Sequence, residues 1–343
     1  MKKSYNNEKR KKVYYNLKYM KKTISYKEIS KVAGVSVSTI SRYYNNGYVS
    51  AKASKRIEEV IKTLDDYVPP SGRQLRELSK EGSVFVVTPA FGSRVYQHIV
   101  DGIIVQCFKN KRRVASVYTG TTTEDYTDTI RYLITWKPSA IVVFISEYDQ
   151  KLFNFLRSIE DVKIIVYGHK VPGVSWVVVD EHRGFYELTK YFKSILPKDN
   201  QRLIFLEDLT LNKTQCDIRY SGFKEACREV GVEPFKYAIH SIRRAVELKE
   251  FISFAVKNKF TNIICSSHNV YSALLLKGKE YFKLTDIGYT SVNGQLNSYY
   301  GKIFIDYPGI GFEIEKLITE MSPDDEEPAT RLVMPKIIES LKL

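Results

Sequence analysis

Two hydrophobic periods divide the chain into a short N-terminal part and a long remainder. In residues 25–64, apolar positions recur at helical spacing, which predicts amphipathic helices. From Ser83 onward, short runs rich in β-branched residues alternate with helical stretches; the runs are SVFVVT, RVASVY, AIVVFI, KIIVYG, WVVVD, RLIFL, NIICS, DIGY and KIFID. This rhythm predicts an α/β fold with parallel sheets covered by helices on both faces. The length of 343 residues allows a small module and two such lobes, with a ligand cleft near the carboxyl ends of the strands.

The N-terminal period predicts three helices. The first spans Ser25–Gly34, and Gly34 suits a turn that needs a positive φ. Ser36 can cap a second helix from Val37 to about Tyr44, and a third runs from a Ser50 cap to about Leu64. Two helices joined by a glycine turn and supported by a third are the elements of a helix-turn-helix. Many other three-helix bundles share this spacing, so the pattern by itself leaves both interpretations open.

The second helix has one face that differs from its apolar side. With Ile40 and Tyr44 directed to the core, the opposite face carries Ser38, Ser41, Arg42 and Asn45. These side chains are short hydrogen-bonding groups and one guanidinium, which suits base edges and phosphates.

Charge separates the same two parts of the chain. Residues 1–80 contain 19 Lys and Arg against 7 Asp and Glu, a balance of +12 out of the total of +14. A basic head on a nearly neutral body predicts contact with a polyanion, although a solubilising tail would look the same. Residues 1–22 are rich in Lys, Asn and Tyr without an amphipathic period, which predicts a disordered basic arm.

The stretch SYKEISKVAGVSVSTISRYYNN, continued by YVSAKASKRIEEVIKTLDDYVP, closely resembles the N-terminal sequence of the lactose/galactose repressor (LacI/GalR) family. The resemblance implies a helix-turn-helix DNA-binding domain over 23–67. It also implies a homodimer that reads a palindromic operator in double-stranded DNA. The implied base-edge contacts are Val37, Ser38 and Arg42, and the implied phosphate contacts are Ser25, Thr39, Ser41 and Asn45.

Residues 68–81 correspond to the family's hinge, which forms a short helix on DNA and inserts a leucine into the minor groove. Leu75 matches that leucine and Arg73 the arginine before it. The family usually has one more residue between the proline and this pair, and Gly72 is a poor helix former. A weakened hinge helix and a plain linker are therefore both open.

The resemblance extends over the body, residues 82–343. It is carried by VYQHIVDGI, VVVDEHRGFYELTKYF, RYSGFKEAC and RLVMPKIIES, the last of which resembles the family's C-terminal strand. It implies the two-lobed fold of type 1 periplasmic binding proteins with three crossings between the lobes. By that similarity the crossings fall near residues 180, 292 and 321. Lobe 1 would then comprise about 82–180 and 292–321, and lobe 2 about 181–291 and 322–343.

The same resemblance predicts the residues of an effector site. Arg219 matches the family's effector-contacting arginine, and Tyr96 is assigned to the same cleft. His268 stands where the family usually has an aspartate that binds sugar hydroxyls. Arg219 could instead make a structural ion pair, and His268 could be structural. If both face the cleft as donors, they favour an anion, such as a sugar phosphate or sugar acid, over a plain sugar.

Nothing in the sequence predicts catalysis. The five histidines form no HExxH motif, the four cysteines form no CxxC pair, and no phosphate-binding loop is present, so no cofactor or metal is expected. The basic N-terminus lacks a signal peptide's apolar segment, which favours a cytoplasmic protein. We therefore expect a DNA-binding regulator, a repressor of a carbohydrate-use operon controlled by a sugar or sugar phosphate. The alternatives are a DNA-binding regulator controlled by a protein partner, and an α/β sugar-binding protein or enzyme without DNA function.

Overall fold

The computed structural model describes residues 26–44, 47–62, 82–90, 94–160, 162–240, 245–278, 281–289, 299–322 and 327–339. The chain divides into two compact units: the first contains the described residues up to Ser83 together with Leu133–Ser139, and the second contains the remainder of the described chain. Ser25, Asn45, Arg73 and Leu75 lie outside the described residues, as do the predicted arm and the whole of the predicted hinge, residues 68–81.

The N-terminal module consists of three helices, α1 (Tyr26–Ala33), α2 (Val37–Tyr44) and α3 (Ala51–Lys62). Each helix contributes the apolar positions that its period predicted. The shared core is formed by Ile29, Ala33, Ile40, Tyr44, Ile57 and Val60. A stacked pair of rings, Tyr26 on Tyr44 with centroids 5.3 Å apart, adds aromatic contact between α1 and α2.

The turn between α1 and α2 has the backbone that glycine permits. Gly34 has φ +64°, and its amide donates to the carbonyl of Ser30 at 3.0 Å. Ser36 then begins α2, because its Oγ accepts from the amide of Thr39 at 3.0 Å. The sequence prediction of the turn and of the second helix's bounds is therefore confirmed.

The first lobe of the body is a six-stranded sheet in the order β12-β5-β4-β3-β1-β2. Its elements are β1 (Ser83–Pro89), α4 (Arg94–Lys109), β2 (Arg113–Thr119), α5 (Thr123–Ile134), β3 (Ala140–Phe144), α6 (Gln150–Arg157), β4 (Lys163–Tyr167), β5 (Ser175–Val179), α11 (Tyr307–Glu320) and β12 (Thr330–Val333). The pairings β1–β3, β3–β4, β4–β5 and β5–β12 are parallel. Every residue of β3 is buried, as expected for a central strand with helices on both faces.

The second lobe contains a four-stranded parallel sheet, β7-β6-β8-β9, and a three-stranded sheet, β10-β11-β13. Its elements are α7 (Glu181–Ser194), β6 (Leu203–Asp208), α8 (Lys213–Glu229), β7 (Phe235–Ile239), α9 (Ala245–Lys257), β8 (Asn262–Cys265), α10 (His268–Gly278), β9 (Lys283–Leu284), β10 (Asp286–Gly288), β11 (Gly301–Phe304) and β13 (Lys336–Glu339). The β11–β13 pair is antiparallel, which the expectation of parallel sheets did not include.

The strand pairings correct two of the three expected crossings between the lobes. β11 pairs with β10 and β13, so the second lobe extends to Phe304. β12 pairs with β5, so residues 330–333 belong to the first lobe. The later crossings therefore lie at 305–306 and 334–335, and not near 292 and 321. RLVMPKIIES forms two strands in different sheets because Pro335, which cannot donate into a ladder, separates them.

Both main sheets have a topological switch point, where the chain runs to opposite sides of one strand. The switch lies between β1 and β3 in the first lobe and between β6 and β8 in the second. Loops that leave the carboxyl ends of strands at such points form ligand crevices. One buried apolar cluster contains residues of both lobes, including Val142 and Phe205, so the lobes share a core beneath these loops.

Helices α4 and α11 approach each other closely through glycine. A Cβ built on Gly311 would lie 2.3 Å from the carbonyl oxygen of Ile99 and 2.6 Å from the amide nitrogen of Ile103. Both atoms belong to the backbone of α4, so they cannot move aside as the end of a flexible side chain can.

We expect Gly311→Ala to lower the free energy of unfolding by about 1–3 kcal/mol, the usual cost of overpacking. The direction of the change in the free energy of unfolding is informative. Where nothing lies against the glycine, alanine stabilises a helix by about 0.5–1 kcal/mol relative to glycine. Urea denaturation measures the change, with Lys316→Ala on the same helix as control. A more stable Gly311→Ala protein would show that the two helices do not meet at this glycine.

Candidate functional site

The first candidate surface is the outer face of α2. Val37, Ser38 and Arg42 are exposed there, whereas Ile40 and Tyr44 on the opposite side are buried. Thr39 and Ser41 are half-buried. A helix with a small apolar residue, hydroxyls and one guanidinium on its open face can enter the major groove and contact base edges.

Three hydroxyls cluster at the beginning of α2. The Oγ of Ser36 lies 2.8 Å from the Oγ of Ser38 and 2.7 Å from the Oγ1 of Thr39. These groups stand at the positive end of the helix dipole, where a phosphate oxygen is favourably placed. The cluster predicts a phosphate contact beside the residues that are predicted to contact base edges, and Ser36 is a member that sequence reasoning treated only as a cap.

The second candidate site is the crevice of the body, where Arg219 of α8 lies with 7% of its side chain exposed. Its Nε and Nη2 both donate to the carboxylate of Glu181, each at 2.8 Å. Its Nη1 donates to the carbonyl of Ser266 at 2.6 Å, directly after β8. Arg219 is therefore at the expected edge of the second sheet, but its guanidinium already binds a carboxylate bidentately.

Three tyrosines of the first lobe surround this ion pair. Tyr96 comes from α4, Tyr167 from the end of β4 and Tyr307 from the start of α11. The rings of Tyr96 and Tyr167 meet edge to face, with centroids 6.2 Å apart. Among the described residues, none exchanges a hydrogen bond with the hydroxyl of Tyr96, Tyr167 or Tyr307.

The carboxylate of Glu181 acts electrostatically on each of these hydroxyls. Burial and then the charge of Glu181 raise the pKa of Tyr96 to about 12. Burial raises the pKa of Tyr167 and of Tyr307 further, again with a contribution from Glu181 and against an opposing effect of Arg219. All three groups are therefore neutral phenols at physiological pH and can donate hydrogen bonds.

Burial and the Glu181 carboxylate have opposite effects on Arg219 itself. Burial, the largest single effect, lowers the pKa of the guanidinium, but the charge and hydrogen bonds of Glu181, together with Tyr307 and Cys216, raise that pKa on balance. The cation is fixed in its charged form by its partner.

His268 also has an acidic partner. Its Nδ1 lies 2.8 Å from Oδ1 of Asp286, and the other oxygen of Asp286 lies 3.0 Å from Nζ of Lys302. The side chains of Asp286 and Lys302 are only 2% and 3% exposed, whereas that of His268 is 43% exposed. The imidazole is thus held at the rim of the crevice by a buried ion pair.

Ser272 lies one turn further along α10, with its Oγ 3.2 Å from Nε2 of His268. Serine, histidine and aspartate in this order form the relay of many hydrolases. In such a relay the carboxylate stabilises the imidazolium that forms during reaction. Here Lys302 already balances the charge of Asp286, so the arrangement favours positioning of the His268 ring over proton relay.

A further polar group links the two switch points. Asp208, at the end of β6, accepts from the Oγ of Ser267 at 2.6 Å. Asn212 caps α8 through its Oδ1, and its Nδ2 donates to the carbonyl of Ser146, just beyond β3, at 2.8 Å. This last bond joins the two lobes across the crevice.

Comparison with known proteins assigns the N-terminal module. Residues 25–70 match the family described as bacterial regulatory proteins, lacI family. The sucrose operon repressor of Staphylococcus xylosus is 23% identical over 229 residues, which are 65% of this chain and 65% of the repressor. The repressor PurR of Vibrio atlanticus is 24% identical over 210 residues, 60% of this chain and 61% of PurR.

The N-terminal module, residues 25–70, is thus similar to the DNA-binding segment of the lacI family.

Solved structures of the lacI family share the fold of this chain. The lac repressor dimer bound to operator and the anti-inducer ONPF superposes with a TM-score of 0.68 at 15% identity, covering 93% of this chain and 98% of that one. The complex of the regulator CelR with cellobiose gives 0.59 at 17% identity, covering 92% and 99%. The sequence matches are shorter and span less than two thirds of each curated relative named above.

The lacI-family expectation located Arg219 and His268 but missed their partners. Glu181 and Asp286 provide the carboxylates that the substitution at 268 appeared to remove, and Lys302 and the three tyrosines complete the crevice. The sequence contained only a weak signal for Glu181 as a site residue. Glu181 follows Asp180 at the first crossing, where a helix begins beside the crevice. No rule of spacing connects it with Arg219.

Two kinds of feature are absent from the described residues. Over the described ranges, His, Cys, Asp and Glu form no group of three or more that could hold a metal ion. No helix in that part of the chain has the length and apolar character needed to cross a membrane.

The buried Asp286–Lys302 pair provides a test of this geometry. We expect Lys302→Met to lower the free energy of unfolding by about 3–5 kcal/mol, because it leaves Asp286 buried without its cation. Thermal and urea unfolding measure the loss, and Lys316→Met, which removes an exposed partner of Glu320, serves as the control. Equal small effects of both substitutions would show that Asp286 is not buried as described.

Proposed function

We propose that this protein is a sequence-specific DNA-binding transcriptional repressor whose operator affinity is set by a small molecule bound in the crevice of the body. The observation that carries the proposal is the outer face of α2. There, Val37, Ser38 and Arg42 are exposed on the helix that follows the Gly34 turn, within the segment that matches the lacI family.

The relatives support this proposal because their names describe repressors and sugar-binding regulators. The two curated relatives named above are a sucrose operon repressor and the repressor PurR. The structural neighbours include a lac repressor dimer on its operator, a CelR–cellobiose complex and the trehalose repressor of Escherichia coli. By analogy we assign this chain a carbohydrate-related effector, a palindromic operator and a homodimer working in the cytoplasm, since one helix-turn-helix reads only a short half-site.

The crevice provides the means of control. Side chains from both lobes converge there: Tyr96 and Tyr307 from the first, Glu181 and Arg219 from the second. A ligand that contacts both groups would bind one relative placement of the lobes better than another. Differential binding of this kind is the requirement for a ligand to shift a conformational equilibrium, and through it the affinity for DNA.

The DNA-reading role of Arg42 is the direct test. We expect Arg42→Ala to weaken binding to the operator by about 1–3 kcal/mol, roughly 5- to 150-fold, if the guanidinium pairs bidentately with a guanine. The operator is first obtained by selection from a random duplex pool, and binding is then measured by fluorescence anisotropy on selected and scrambled duplexes.

Arg56→Ala is the matched control, because Arg56 is an exposed arginine on α3. It should reduce binding to both duplexes alike, as loss of one phosphate-directed charge does. If Arg42→Ala also reduces both equally, Arg42 is only a phosphate contact. If Arg42→Ala changes neither, α2 is not the reading helix.

A further inference from the structure

Among the described side chains of the crevice, the basic groups already have acidic partners. The bidentate hydrogen bonds of Glu181 occupy the Nε and Nη2 of Arg219, and the carbonyl of Ser266 occupies Nη1. On the rim, His268 and Lys302 share the carboxylate of Asp286. Arg219, His268 and Lys302 are thus each already matched with a carboxylate of the protein.

The location of Glu181 makes this carboxylate difficult to displace. It is the first residue of α7, where the helix dipole stabilises negative charge, and its neighbour Asp180 caps that helix. Arg219 has almost no contact with water, and its guanidinium stands over the ring of Phe185 at 5.9 Å. A phosphate could reach the guanidinium only by displacing Glu181 or by lying in contact with the Glu181 carboxylate. In the second case the two negative charges would repel each other.

The remaining groups suit hydroxyls. The hydroxyls of Tyr96, Tyr167 and Tyr307 can both donate and accept, and they have no hydrogen-bond partner within the described part of the chain. The carboxylate of Glu181 retains acceptor capacity beyond its two bonds to Arg219. Each hydroxyl of a polyhydroxylated ligand can donate one hydrogen bond and accept others. This set of donors and acceptors around a balanced ion pair can satisfy both functions.

We infer that Glu181 determines effector specificity: it neutralises Arg219 from within the protein, so that the crevice accepts an uncharged polyhydroxyl compound and excludes its phosphate or carboxylate counterpart. This inference rests on the proposed function, in that the crevice is taken as the effector site. It also reverses the preference for an anion that Arg219 and His268 suggested without their partners.

The test replaces Glu181 with its uncharged isostere and uses inorganic phosphate as the anionic probe. Full-length wild-type protein and the E181Q variant are titrated with phosphate by isothermal calorimetry and by thermal shift. Wild type should show no saturable binding. E181Q should bind phosphate saturably, with an affinity at least roughly tenfold above the upper limit set by the wild-type titration, because a charge-assisted hydrogen-bonded pair becomes available.

Two further variants locate the effect. Glu187→Gln removes one carboxylate from an exposed pair with Arg183 on the same helix and should behave as wild type towards phosphate. The double variant E181Q/R219Q should lose the phosphate binding gained by E181Q, since no guanidinium remains. Saturable phosphate binding by wild type equal to that of E181Q would overturn the inference, and so would an absence of binding in E181Q.

E181Q could be unstable because it leaves a buried guanidinium without its anion. In that case the melting temperature itself is the readout: phosphate should raise it for E181Q and leave the E181Q/R219Q protein unchanged. If E181Q stays unfolded at every phosphate concentration while the double variant folds, Glu181 serves stability alone and the inference fails.

The outcome can be separated from the fate of the proposed function. Phosphate binding is measured without DNA, so it reports on Glu181 whether or not the protein represses. Operator binding, followed by anisotropy with a panel of neutral mono- and disaccharides, reports on the function. A phosphate effect in E181Q without any sugar effect on operator binding would support Glu181 as the anion-excluding group while contradicting effector control.

Discussion

A guanidinium that is nearly removed from water requires an anion beside it, and the crevice of this protein is organised around that requirement. Arg219 and Glu181 form a bidentate pair between the start of α7 and the middle of α8, the two helices that pack together in the second lobe. The pair fixes the charge of Arg219, sets the field at the surrounding tyrosine hydroxyls and leaves the site close to electrical balance. The same rule holds at the rim, where Lys302 and His268 share Asp286.

Local sequence rules were sufficient for the N-terminal module. The bounds of α2, the turn at Gly34 and the Ser36 cap follow from interactions between residues at most six apart. These features therefore do not depend on contacts with distant parts of the chain. Strand existence was predictable in the body for the same reason, because buried central strands such as β3 are continuous apolar runs. The two-residue β9 and the partly exposed β7 carry no such run and were not anticipated.

Long-range pairing was the part that sequence reasoning could not supply. The crossings at 305–306 and 334–335 depend on which sheet β11 and β12 join, and neither strand contains a residue that specifies its neighbour. Arg219 was recognised from its motif, but its partner Glu181 lies 38 positions away and is joined to it only by the packing of α7 on α8. The position of a predicted binding residue can thus be read from a motif, while the availability of its side chain depends on a contact that the motif does not contain.

The bond from Asn212 to the carbonyl of Ser146 bears on how easily the two lobes separate at the crevice. Asn212 caps α8 through its Oδ1, whereas its Nδ2 reaches across to the other lobe and can also bond the side chain of Gln215. Parting the lobes at this point breaks a single neutral hydrogen bond and leaves the cap intact. A bond of this kind is worth about 1 kcal/mol, which weights the joined state roughly fivefold. This polar link by itself therefore favours the joined lobes only weakly.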